Sequence, residues 1–131
     1  MTLRRLFGIN LVFALFFGLT CAVVPRQVYA AYGLVPDEAG VWVTRLLGGS
    51  ILGFATLMWF GFTRASADAR RAIALALLVQ DVVGVLASLV IQLGGRIAPI
   101  GWSNVALYGL LALGYGYFVT AEPRDARRSA G

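Results

Sequence analysis

Four long apolar stretches, Leu6 to Val24, Val41 to Phe62, Ile73 to Leu93 and Trp102 to Thr120, take up most of the chain, and polar residues are gathered in the short segments between them. Crossing the hydrocarbon of a bilayer as a helix takes about 20 mostly apolar residues, so each stretch is long enough to span. The pattern predicts helices at 4–24, 40–62, 71–93 and 101–120 and a tail at 121–131, all in one domain over residues 1–131. The connections hold breakers or charge: Pro25 and Pro36 before Gly40, three arginines between Thr63 and Arg71, and Pro99 between Gly94 and Gly101. Connections this short bring consecutive helices side by side with opposite directions. The predicted fold class is therefore all-α, an integral membrane four-helix bundle with antiparallel neighbours.

Composition agrees. A chain of 131 residues that is 60% hydrophobic and 13% charged has too little polar material to cover a water-soluble globule, so the lipid bilayer is its first expected partner. The net charge of +5 does not point to nucleic acid, because the arginines lie in clusters between apolar runs and not along a face interleaved with aromatics. Their distribution sets an orientation. Arg4, Arg5, Arg64, Arg70, Arg71, Arg124, Arg127 and Arg128 fall on one side of the spans, and only Arg26 and Arg96 on the other. Basic residues favour the cytoplasmic side, which places both termini there and the protein in an inner (plasma) membrane as a multi-pass chain. Aromatic residues mark both interfaces: Tyr29, Tyr32, Trp42 and Trp102 at the outer ends, Phe7, Trp59, Phe60, Tyr117 and Phe118 at the inner ends. Arg4 and Arg5, the first apolar run and Val28-Tyr29-Ala30 also resemble a cleavable signal peptide. The length of the run and the intervening Pro25, Arg26 and Gln27 favour a retained span, and intact mass separates the two readings.

Candidate chemistry is sparse. The chain has no histidine, which removes bis-imidazole haem ligation, the common zinc sites and any imidazole base. Its single cysteine, Cys21, lies within the first apolar run and reads as a small buried hydrophobe. No nucleophile–base pair, metal-ligand cluster, phosphate loop or nucleotide fingerprint is present, so neither a catalytic site nor a metal or cofactor is expected, and the chain reads as non-enzymatic.

One residue stands apart. Asp81, beside Gln80, falls near the middle of the third span, where a carboxylate costs at least about 2.5–3.5 kcal/mol to insert and normally meets a partner or a cavity. Asp81, Gly84, Ser88 and Gln92 are three, four and four residues apart and share a helical face; Gln80 points about 100° away from Asp81. On the second span Arg45 shares a face with Gly49, and Gly49 and Gly53 form a GxxxG packing element. Arg45 is the obvious counter-ion for Asp81, but at 1.5 Å per residue it sits about 6–9 Å below the outer boundary and Asp81 about 18–20 Å below it. Arg45 is then expected to snorkel outward or to meet Ser88, Gln92 or Asn104, while Asn10 and Tyr115 match the depth of Asp81 and can donate to it. On the fourth span Asn104, Tyr108 and Tyr115 form a polar face beside a small one containing Gly109 and Gly116.

Arg45-Leu46-Leu47-Gly48-Gly49 opening the second span and Gly114-Tyr115-Gly116-Tyr117-Phe118 closing the fourth resemble the small DoxX-like bacterial membrane proteins over residues 3–120. That resemblance implies a compact four-helix membrane bundle and no assigned chemistry. Small multidrug transporters share the span count, but their first-span glutamate is missing here, and the glycine- and arginine-containing motif of fluoride channels is not reproduced in order. Two functions follow as expectations. One is a non-enzymatic accessory or assembly subunit, or a homo-oligomer, built through the glycine faces. The other is a small transporter or channel with Asp81, Gln80, Tyr115 and Arg45 along a polar intramembrane path.

Overall fold

A computed structural model describes residues 2–128, with side chains through Ala121. The chain runs through α1 (Leu3–Val23), α2 (Pro25–Ala31), α3 (Glu38–Thr63), α4 (Ala67–Leu93) and α5 (Gly101–Arg128), with no strand among the described residues. Four segments, α1, α3, α4 and Gly101–Ala121 of α5, are long and apolar enough to cross a membrane.

Local sequence explains where the helices begin. Thr2, Asp37 and Ser66 each turn a side-chain oxygen onto a backbone N–H three residues on, at Arg5 (3.3 Å), Gly40 (2.7 Å) and Ala69 (3.3 Å). These caps satisfy N–H groups that a helix start leaves unpaired. Because the caps of α3 and α4 lie within the polar connections, both helices start before their apolar stretches do. At the other end of the chain, α5 continues past residue 120 to Arg128. Residues 129–131 of the predicted tail, and the side chains of Arg124, Arg127 and Arg128, lie outside the described residues.

The connection after the first span differs from expectation, because residues 25–31 form a short helix. Pro25 stands at its first position, where the missing N–H is not needed, and is buried. Arg26 of α2 meets Glu38 of α3 at 2.6 Å with both side chains largely exposed, so the pair adds about 0–1 kcal/mol and chiefly orients α2. After α2 the backbone turns through Gly33 at φ 72°, a left-handed conformation that suits glycine, and the Ala98 N–H donates to the Tyr32 carbonyl at 2.9 Å. The segment after α2 is thereby tied to the one before α5.

The closest helix approaches are α1 on α3 and α4 on α5. Along the first seam Gly8 lies at Phe62, Gly18 at Leu52, and Gly48 at the backbone of Ala22. Glycine is required at 48: a Cβ there would stand 2.5 Å from the Ala22 nitrogen and 2.7 Å from the Gly18 carbonyl oxygen, and neither backbone atom can move aside. The two pairs join through a packed core toward the α3–α4 turn. Phe7, Leu77 and Tyr115 are fully buried there, with Ala55, Met58 and Ala74 between them. The Phe7 and Tyr115 rings are 5.7 Å apart and tilted by 38°. Outside this core large apolar side chains point away from the protein, among them Phe16, Val12, Val90, Leu110 and Leu113, each more than 60% exposed. A continuous apolar exterior of this kind suits lipid as its solvent.

A candidate intramembrane cavity at Asp81

Between the packed core and α2 the two helix pairs separate, leaving a cavity of about 180 Å³ bordered by all five helices. Its walls are mostly apolar: Phe13 and Phe17 from α1, Ile51, Phe54 and Met58 from α3, and Leu107 and Leu111 from α5. Polar atoms enter at a few points. Asp81 and Gln80 come from α4, Asn10 from α1, and Asn104 and Tyr108 from α5.

Asp81 is 2% exposed and Asn10 6%, yet they are treated differently. Asn10 donates from Nδ2 to the Tyr115 hydroxyl at 3.0 Å, a buried bond that joins the first and last long helices. Asn10 and Tyr115 were the expected donors to Asp81, and here they bond to each other. The Oδ2 atom of Asp81 is buried without a hydrogen-bond partner among the described residues, and so is Oε1 of Gln80. Leaving a buried polar atom unpaired costs about 1–3 kcal/mol, more for a charged group, so two side by side on one cavity wall are the least settled feature of the packing. Gln80 and Asp81 project from α4 at different angles, but both border the cavity, which is wide enough to be reached from two faces of the helix.

The other polar residues separate into groups. Tyr108 borders the cavity and lays its ring on Gly84, where a Cβ would come within 2.9 Å of ring carbons; Gly84 is what lets α5 approach α4 there. Asn104 also borders the cavity, and its Oδ1 accepts from the Tyr32 hydroxyl at 3.0 Å. Gln92 is buried near the far end of α4 against Gly101, with its Oε1 unpaired, and is not part of the cavity wall. Ser88 is half-buried and likewise not in the wall. Arg45 is exposed on α3 and does not border the cavity; the one ion pair among the described residues is Arg26–Glu38. Gly49, Gly53 and Gly109 have nothing within 4 Å of where a Cβ would lie, and Gly116 only a Leu78 methyl at 3.8 Å. The close approach on α3 is made one residue earlier, by Gly48.

Two contributors were not visible as such in the sequence. Tyr32 reads there as one of the interfacial aromatics, but it borders the cavity at its α2 end and bonds Asn104 there. Val28 of α2 lies beside it in the wall, so the short helix forms one end of the cavity. The run Pro25-Arg26-Gln27-Val28-Tyr29-Ala30-Ala31, a proline followed by residues that tolerate helix, was the available signal. Among the described residues no group of three His, Cys, Asp or Glu side chains is placed to hold a metal ion. No family model, curated protein or solved structure matches this chain.

Proposed function

We propose that this is a non-enzymatic multi-pass protein of the inner (plasma) membrane that binds a small solute in the cavity at Asp81, in the manner of a small carrier. The carrying observation is the pair of unpartnered acceptors, Asp81 Oδ2 and Gln80 Oε1, on the wall of a cavity of about 180 Å³. A carboxylate kept only as interhelical glue would be bonded to a neighbouring helix, as Asn10 is. The proposed topology has antiparallel neighbours and cytoplasmic termini. Its supports are the running order of the α1–α3 contacts, from Gly8 with Phe62 to Ala22 with Gly48, and the arginine count in the sequence. The architecture is the one that the likeness to DoxX-like proteins implies. Flux of a broad solute panel into proteoliposomes tests the carrier role: wild type is expected to move at least one solute above background and Asp81→Asn to lose that flux, and background flux for both defeats it.

A second reading keeps the protein as an assembly subunit or homo-oligomer. It is favoured by the backbone at Gly49 and Gly53, which is uncovered within the chain and so open to another membrane helix. Gly49→Leu with Gly53→Leu is expected to dissociate such an assembly without unfolding the subunit, and an unchanged oligomeric state removes this reading.

A further inference from the structure

Resting on the proposal that the Asp81 cavity binds a solute, we infer that its ligand is a small organic amine: one ring or a comparable apolar body, bearing an ammonium group that meets Asp81 and Gln80. Size, donor–acceptor balance and charge each limit the choice.

A cavity of about 150 Å³ lined by aliphatic and aromatic groups accommodates benzene, whereas drug-sized ligands occupy pockets of about 300–1,000 Å³. The 180 Å³ here therefore takes a body of roughly one ring with a short substituent. Phe13, Phe17, Ile51, Phe54 and Leu107 offer such a body an apolar wall, with aromatic faces that also attract a cation.

Hydrogen-bonding capacity then selects the polar end. Two donors of the wall are engaged within the protein: Asn10 Nδ2 bonds Tyr115, and the Tyr32 hydroxyl bonds Asn104. The buried atoms of the wall that stand unpaired are both acceptors, on adjacent residues of α4. A ligand group that brings only acceptors, such as a carboxylate, would leave both of these oxygens unpaired, and one that brings several donors would satisfy them. An ammonium carries three donors and no acceptor.

Charge points the same way. Among the described residues no arginine borders the cavity, Arg45 being exposed on the other side of α3, and none of them supplies a cation to Asp81. Ammonium with carboxylate, or neutral amine with carboxylic acid, makes a pair of zero net charge; either assignment of the proton leaves the cavity neutral in low dielectric. Tyr32 lines the α2 end of this cavity, held by the hydroxyl bond to Asn104 and the carbonyl bond to Ala98.

Equilibrium dialysis of the detergent-solubilised full chain against benzylammonium, toluene, benzyl alcohol and benzoate, with protein-free micelles as the blank, tests the inference. Wild type is expected to bind benzylammonium about tenfold or more tighter than toluene or benzyl alcohol, since a charge-assisted hydrogen bond exceeds a neutral one, and to bind benzoate least. Asp81→Asn is expected to lose that preference and still bind toluene. Equal binding of benzylammonium and toluene to wild type, or benzoate as good as either, overturns the amine while leaving the cavity a solute site. Absence of binding by all four overturns the cavity reading as well. The order of the four ligands is read on wild type alone, so the result stands even if Asp81→Asn fails to fold.

Discussion

Two pairs of polar side chains lie in the middle of this protein and are handled in opposite ways. Asn10 and Tyr115, from the first and last long helices, complete each other at 3.0 Å beside the fully buried Phe7 ring. Asp81 and Gln80, adjacent on α4, turn toward the cavity and keep an unpaired oxygen each. The first pair lies at the packed edge of the cavity, where Asn10 borders it and Tyr115 is fully buried, and its two members bond to each other. The second lies where the α1–α3 and α4–α5 pairs part, and no side chain of the described residues fills the gap. Polar residues inside an apolar bundle are thus of two kinds: those that hold helices together, and those whose partner comes from elsewhere.

The contrast can be broken one residue at a time. The largest loss is expected at the packed end, where Phe7→Ala leaves a hole under Gly61 and Tyr115. About 3 kcal/mol of unfolding free energy is expected, toward the low end for a buried phenylalanine because lipid weakens the apolar transfer term. Denaturant titration in micelles measures it, and a loss below about 1 kcal/mol would show that this end is not tightly packed. Next comes Tyr115→Phe, which strands the Asn10 amide and is expected to cost about 1 kcal/mol. Asn10→Leu added to it should cost little more, since removing both partners leaves nothing unpaired; additive losses would mean the bond is not a closed pair. A smaller loss, about 0.5 kcal/mol, is expected for Tyr32→Phe, which opens the half-buried bond to Asn104, together with faster release of any bound amine. Unchanged release rates would remove Tyr32 from its place at the end of the cavity. The smallest effect is assigned to Asp81→Asn, within about 0.5 kcal/mol of wild type or slightly stabilising, because the carboxylate has no partner to lose.

Much of the fold was legible in the sequence because it rests on composition and period. Four apolar runs of spanning length became four long helices. The single feature expected to be functional, Asp81, also lies at the cavity. Legibility failed where the answer depended on which helices touch. Depth along a helix axis placed Asn10 and Tyr115 level with Asp81, but depth says nothing about azimuth, and the two found each other instead. Spacing also does not give rotation: within the described chain it is Gly48, and not Gly49 or Gly53 of Gly49-Ser50-Ile51-Leu52-Gly53, that meets the backbone of α1. Tyr32 was missed because an aromatic near the end of a span looks the same whether it faces lipid or folds back over a cavity.

The most direct test is the shift in unfolding free energy produced by benzylammonium in wild type and in Asp81→Asn. A ligand that binds only the folded state, present at 100 times its dissociation constant, stabilises by about 2.7 kcal/mol. The account predicts a shift of about that size in wild type and a shift at least about 1.3 kcal/mol smaller in Asp81→Asn at the same concentration, reflecting a site at least about tenfold weaker. Equal shifts in the two proteins, or none in wild type, would contradict it.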